Sequence, residues 1–309
     1  MTTLSALLLT HPDASPALGA PGRDWLDYGG LRALAYDVAD ALHGAGIGRG
    51  DRVAIVLPNG PEMAAAFITV AQAATTAPLN PAYRQEEFEF YLEDLKAKAI
   101  ILPDGYDGPA LPAAEKFGLT ILRLSFDASK PAGTFVLATE ASGAPADRGQ
   151  PQADDVALIL HTSGTTSRPK IVPLLHSNVA ASAQNIGGSL ALSSDDRCLN
   201  VMPLFHIHGL VAAVASSLAA GGQVWCAPGF DALKFFGWLA DAKPTWYTAV
   251  PTMHQTILAR ASRNADTIAS ANLRFLRSSS ASLPPQVMTS LTDTFGAPVI
   301  EGYGMTEAA

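Results

Sequence analysis

Residues 160–170 read Leu-His-Thr-Ser-Gly-Thr-Thr-Ser-Arg-Pro-Lys. Thr162, Ser163, Thr165, Thr166 and Ser167 carry hydroxyls around Gly164, with the cations Arg168 and Lys170 directly behind them. Such a segment can bring backbone N–H groups, hydroxyl donors and positive charge to one anion, as a polyphosphate requires. It is not a Walker A loop, because that motif needs a glycine immediately before Lys-Ser/Thr and here Pro169 precedes Lys170. The competing reading is a polar surface turn between strands. A second candidate is His206-x-His208. On a strand the two imidazoles would share a face, a geometry found in metal sites, but no third ligand follows from the spacing, and a structural role for His208 is the better expectation.

These residues need a scaffold, and the hydrophobic pattern supplies one. Short β-branched runs at residues 52–57, 99–102, 120–124, 156–161, 171–174, 197–202, 223–226, 245–249, 273–277 and 299–301 read as strands. Helical spacing appears at residues 31–45, 62–74, 85–97, 178–190, 210–219, 233–242, 252–261 and 285–295, with one more helix expected between 102 and 120. This alternation is the βαβ rhythm of a parallel sheet. Residues 127–154 are rich in Ala, Gly, Pro, Ser and Asp and read as a linker, with 135–137 its only compact apolar run. The expected organisation is a first α/β subdomain over 1–150 and a second over 151–309, both doubly wound, the second carrying the anion loop.

Composition narrows the partners. The 309 residues hold 28 acidic and 20 basic side chains, a formal charge of −8. That balance disfavours a general nucleic-acid binder, which needs a field of Lys and Arg. One local basic site for a small phosphate ligand is compatible with it. Cys198 and Cys226 are the only cysteines; they form no disulfide framework, and a cytoplasmic location is expected. Residues 1–10 lack the basic n-region of a signal peptide and read as an amphipathic helix. No stretch of about 20 apolar residues suggests a membrane span. Three tempting signals fail. Gly44-Ala45-Gly46-Ile47-Gly48 follows a helix, so it reads as a helix stop rather than a dinucleotide fingerprint. Glu86, Glu87 and Glu89 form a solvated helix face, and Asp154-Asp155 and Asp195-Asp196 read as turns.

The loop at 162–170 resembles the phosphate loop of the adenylate-forming superfamily, which includes acyl-CoA synthetases, luciferases and peptide-synthetase adenylation domains. Three further blocks agree in order and spacing. Residues 203–209, Pro-Leu-Phe-His-Ile-His-Gly, resemble the block bordering the acyl pocket. Residues 278–283, Ser-Ser-Ser-Ala-Ser-Leu, stand where the family has a glycine-rich turn at adenine. Residues 301–307, Glu-Gly-Tyr-Gly-Met-Thr-Glu, match the signature whose Tyr, Thr and Glu meet adenine, α-phosphate and Mg²⁺. Ser167 and Ile171 depart from the glycines usual at those positions. Together with residues 247–255 and the serine turn, they look most like the oxalate–CoA ligase subgroup.

The resemblance implies attack of a carboxylate on the α-phosphate of ATP to give acyl-AMP, followed by displacement of AMP by the thiol of coenzyme A. The protein's task is then to hold two anions together and stabilise charge at phosphorus. By resemblance, Thr162, Ser163, Gly164, Thr165, Thr166, Ser167 and Lys170 hold the β- and γ-phosphates. Thr306 meets the α-phosphate and Glu307 ligates Mg²⁺. Tyr303 stacks on adenine, between Gly302 and Gly304, and Ser280, Ala281 and Ser282 read the base edge. His206 borders the acid, where partial protonation would favour an anion. A short dicarboxylate needs donors for its second carboxylate, and Ser280 and His206 could supply them; the alternative is that the serines only form a tight turn. Family members continue into a mobile C-terminal domain absent from these 309 residues, so this chain alone is expected not to complete the reaction. Two other readings stay open: a medium-chain acyl-CoA synthetase or other adenylating enzyme, and a non-catalytic nucleotide-binding fragment.

Overall fold

The structure is a computed structural model that describes residues 2–8, 10–162 and 169–309. In chain order the strands are β1 (Pro16–Ala20), β2 (Arg23–Asp27), β3 (Arg52–Ile55), β4 (Thr75–Pro78), β5 (Ala99–Pro103), β6 (Thr120–Ser125), β7 (Val136–Ala138), β8 (Val156–Thr162), β9 (Lys170–Leu175), β10 (Arg197–Asn200), β11 (Gln223–Cys226), β12 (Trp246–Ala249), β13 (Phe275–Ser279) and β14 (Val299–Gly302). The helices are α1 (Tyr28–Gly44), α2 (Pro61–Val70), α3 (Gln85–Leu95), α4 (Ala110–Lys116), α5 (His176–Ser189), α6 (Ser216–Ala219), α7 (Phe235–Ala242), α8 (Pro251–Ala261), α9 (Ala265–Ser270) and α10 (Pro285–Phe295). A π-helix, His208–Ala215, runs directly into α6.

Two mostly parallel sheets of seven strands are stacked, in the orders β14-β13-β12-β10-β11-β1-β2 and β7-β6-β5-β3-β4-β8-β9. Strand residues alternate between their faces, as the period of two demands. In the first sheet Cys198, Val224, Trp246 and Phe275 join the main core between the sheets. Their neighbours Leu199, Trp225, Tyr247 and Leu276 turn to an outer core beneath α7–α10. In the second sheet Val53, Ile55 and Ile101 face the main core, and Ala54, Ile100 and Leu102 face α3 and α4. Helices α1, α2, α5 and the π-helix fill the middle layer. Strands buried on both faces explain the continuous apolar runs of the sequence.

The division expected at residue 150 differs from the sheet membership. β8 and β9 complete the sheet built from β3–β7, while β1 and β2 join the other sheet through β11, with Leu18 opposite Val224. The chain therefore crosses between sheets more than once. The apolar β8 finds an open parallel edge at β4, where Thr76 pairs with Leu158, and the Thr75 and Thr76 hydroxyls donate to the β8 carbonyls of Val156 and Ala157. Within the expected linker, β7 pairs antiparallel with β6 as an edge strand. Among the described residues of the first ten, Ser5–Leu8 form a 3₁₀ turn where an amphipathic α-helix was expected. Arg32 caps the carbonyls of Leu8 and His11 there and turns the chain away. Among the described residues no helix is long and apolar enough to cross a membrane.

Candidate active site

Open α/β sheets place ligands outside the carboxyl ends of their strands, at the point where successive strands diverge. Here that point is β10, which pairs with β11 on one side and β12 on the other. Just past β10, the Asn200 side chain accepts from the Met202 N–H and fixes the exit turn. Asn59, from the turn between β3 and α2, accepts from the Leu204 N–H and donates to the Ala227 carbonyl. A residue of one sheet thus clamps the segment that leaves the other. Gly209 is required here, because a Cβ would lie 2.4 Å from the Pro203 carbonyl oxygen.

This clamped segment is a turn leading into the π-helix, so the His-x-His pair is not on a strand and its imidazoles do not share a face. Each π turn holds one residue more than an α turn, a distortion that recurs at functional sites. His206 is exposed beside Phe205, their ring centroids 4.5 Å apart. Partial desolvation lowers its pKa, which opposes the protonation expected for it. His208, only 5% exposed, turns inward. Its Nδ1 lies 3.0 Å from Ser280 Oγ, and its Nε2 lies 2.6 Å from Thr248 Oγ1 and 3.1 Å from Arg277 Nη1. Burial, reinforced by the Arg277 charge, pushes the His208 pKa down to about 3, so the ring is neutral. A guanidinium N–H can only donate, so Nε2 is the acceptor and the ring proton sits on Nδ1. Ser280 Oγ therefore accepts from His208, which leaves the Ser280 hydroxyl hydrogen free for another partner.

Thr248 and Arg277 are opposite each other on β12 and β13. Both lie two residues beyond core-facing positions, Trp246 and Phe275, and so point to the same inner face. Arg277 is 8% exposed. Burial lowers its pKa, and among the described residues no carboxylate forms an ion pair with it. Gly302, its neighbour on β14, leaves room for it: a Cβ there would stand 2.6 Å from Arg277 Nη2. Buried His254 donates from Nε2 to the Arg277 carbonyl, 3.2 Å away, and its Nδ1 accepts from the Tyr247 hydroxyl at 3.3 Å. Sequence reasoning missed Asn59 and Arg277, and it cited the 247–255 block without giving Thr248 a role. The signal for Arg277 was a charge placed in register with Phe275 on a strand expected to be buried on both faces.

Above this cluster is a cleft of about 490 Å³ lined by Ser280, Ala281, Ser282, Glu301, Gly302, Tyr303 and Gly304. Ser280 holds a left-handed backbone conformation, φ +73°, uncommon for a residue with a side chain. The Ser279 hydroxyl donates to the Gly302 carbonyl and Glu301 accepts from the Leu283 N–H, tying the serine turn to β14. Tyr303 is 96% exposed, its ring free at the rim. Thr306 and Glu307 follow in a 3₁₀ turn, Thr306–Ala308. The Thr162 hydroxyl lies 3.4 Å from a Glu307 carboxylate oxygen, so the end of β8 and the signature turn meet. Thr162 pairs with Lys170 across β8 and β9. Ser163, Gly164, Thr165, Thr166, Ser167 and Arg168 lie outside the described residues. On β8, His161 is held by Asp94, 3.0 Å away, and by the edge of the Tyr91 ring.

Residues 9–309 match the AMP-binding enzyme family. The chain belongs to that family. It is 43% identical to an oxalate–CoA ligase of Arabidopsis thaliana, over 99% of this chain and 61% of the relative. It is 42% identical to a probable CoA ligase, CCL9, of Humulus lupulus, over 95% of this chain and 57% of the relative. Its fold superposes on ATP-bound MatB from Rhodopseudomonas palustris with a TM-score of 0.83 and 31% identity, covering 99% of this chain and 60% of that one. The chain thus spans about 60% of the length of these proteins. The mixed α/β fold with two largely parallel sheets is the one the family resemblance implied.

Proposed function

We propose that the protein is an ATP-dependent, AMP-forming acid–CoA ligase whose acid is small and polar, with oxalate the favoured substrate. The observation that carries this reading is the hydroxyl of Ser280, which lines the cleft while its oxygen is engaged by buried His208. A fatty-acyl chain would need an apolar tunnel at such a floor, and unpaired polar groups would disfavour it. The similarity to an oxalate–CoA ligase agrees with a small anionic acid.

The residues fit the nucleotide. Tyr303 offers a free ring face for adenine beside the cleft, and Ser280, Ala281, Ser282, Gly302 and Gly304 offer backbone groups for the base edge. Thr306 serves the α-phosphate. Thr162, Lys170 and residues 163–167 serve the outer phosphates. Glu307, beside the Thr162 hydroxyl, is a hard oxygen donor suited to Mg²⁺, which takes one or two carboxylates and completes its shell with phosphates and water; the metal supplies charge neutralisation at those phosphates. His206 stands at the border of the acid site as a neutral donor. Coenzyme A is the thiol partner and the cytoplasm the proposed compartment.

ATP–pyrophosphate exchange tests the reading on the full-length protein that carries this sequence, with oxalate, malonate, acetate and octanoate. Exchange driven by oxalate is expected. Exchange driven only by octanoate would make it a medium-chain acyl-CoA synthetase, and none with any acid would make it a nucleotide-binding module.

A further inference from the structure

Arg277 has no partner that accounts for its charge. Its Nη1 donates to neutral His208 and reaches Thr248 Oγ1 at 3.4 Å, yet among the described residues no carboxylate pairs with it. An uncompensated buried cation is strongly destabilising, because desolvation is not repaid by a paired charge. A purely structural donor to His208 and Thr248 could be neutral, and a Gln would satisfy the same oxygen and nitrogen. The guanidinium lies directly beneath the cleft: Nη2 fills the space a Cβ would take at Gly302, and Gly302 and Ser280 both line the opening. Ser280 accepts from the same His208, so its hydroxyl hydrogen is left to a partner in the cleft that Ser280 lines. A fixed positive charge just beneath the cleft lining and an O–H donor on that lining therefore belong to a single hydrogen-bonded group.

We infer that Arg277 is the specificity-determining residue for a second negative charge on the acid, accepting the distal carboxylate of a dianion while Ser280 donates to the same group. This assignment rests on the proposed ligase function and names the substrate class within it. The unpaired cation becomes paired only when a dianion is bound, and a monocarboxylate leaves it uncompensated. Discrimination then comes from the difference between those states and needs no close fit to the rest of the acid.

The test compares oxalate with oxamate, its isostere in which one carboxylate is a neutral amide, by ATP–pyrophosphate exchange on the full-length protein and its R277M and R277K variants. R277M should lower kcat/KM for oxalate by about 100-fold, equivalent to about 2.8 kcal/mol, and change that for oxamate less than about 3-fold. R277K, which keeps a charge but loses the planar fork, should fall between. Removing an uncompensated buried charge should also leave the ligand-free melting temperature of R277M equal to or above that of the wild type, which a structural arginine would not do. Equal losses on oxalate and oxamate, or a lowered melting temperature in R277M, would overturn the assignment. Oxalate exchange indifferent to R277M would also overturn it and leave the ligase reading standing, whereas no wild-type exchange with any acid would overturn both.

Discussion

Two arginines three residues apart serve opposite ends of the same sheet. Arg274, just before β13, pairs with Asp196 at 2.5 Å, and Asp196 also accepts from the Thr245 hydroxyl and from the Ser193 N–H. Burial alone would raise the Asp196 pKa, but those hydrogen bonds and the Arg274 charge hold it below the usual carboxylate range. Arg277, at the carboxyl end, meets a neutral imidazole, a hydroxyl and a cleft. Between them lies the ring stack of Trp246 on Phe275, centroids 5.3 Å apart. Within about 7 Å along β12 and β13, two residues' rise, the inner face passes from core to site. A charge completed by the protein is a fastener; a charge left open at the mouth of a cleft is available to a ligand.

Acid should separate the two ends most strongly. His208 and His254 pack around Arg277 with pKa values lowered to about 3 and about 4, chiefly by burial. Both values lie below the ordinary 6.5, so below pH 6.5 the unfolded chain takes up protons that the folded protein does not. Stability should be level above pH 6.5 and fall as pH drops from there to about 4, by up to about 3 kcal/mol per pH unit for the two groups. His176, lowered to about 4 in the same way, adds to the slope from its contact with Leu4. The Asp196 contribution has the opposite origin: its folded pKa is depressed, so it is intact above the unfolded value and is lost only as pH falls below about 4. Urea titrations at pH 7, 6 and 5 should show the fall, and H254Q should make it shallower. A flat profile would break the contrast.

Removing the fastener should be the next largest effect. Asp196→Ala deletes a carboxylate that is only 3% exposed and should lower unfolding free energy by about 2–3 kcal/mol. That is below the range for a fully buried pair, because the abandoned Arg274 can reach water. If R277M proves as destabilising as D196A, the two arginines are equivalent and the distinction fails.

Gly302→Ala probes the close approach at the other end. Its Cβ would meet Arg277 Nη2 at 2.6 Å, so the guanidinium must shift, at a cost of about 1–3 kcal/mol. Combining G302A with R277M removes the clash partner and should recover most of that loss, a coupling that thermal melts of the four proteins would measure. Additive losses would place the guanidinium elsewhere.

The same contrast explains what the sequence could disclose. Long elements with clear periods were legible: α10 spans the expected 285–295, and β11 the expected 223–226. Strand β4 was not, since Thr-Thr-Ala-Pro has no period and its burial comes from β3 and β8 on either side. Nor was the hairpin of β1 and β2, whose partner β11 lies some two hundred residues away in the chain. At the site, Ser280, Ala281, Ser282, Gly302, Tyr303 and Gly304 stand out as local motifs, and they line one cleft. Thr248 lies inside the 247–255 block and Arg277 just before the serine turn, yet neither is given a role by its motif. They become meaningful only through strand register, which sets them beside His208, and that histidine rather than His206 is the one that contacts Ser280.

The smallest expected effect concerns the residue that joins the cluster to the cleft. Ser280 combines a strained backbone, φ +73°, with the hydrogen bond from His208. Glycine adopts that φ freely, so Ser280→Gly relieves about 1 kcal/mol of strain while forfeiting a hydrogen bond of about the same worth. Its melting temperature should stay near that of the wild type. Ser280→Ala keeps the strain and loses the bond, so it should be less stable by about 1 kcal/mol. Both variants lack the free hydroxyl and should lose a similar, roughly tenfold share of activity towards oxalate. If S280A and S280G are equally stable, the left-handed conformation carries no strain. If they differ in stability but match in activity, the hydroxyl serves the acid and the strain is the cost of aiming it.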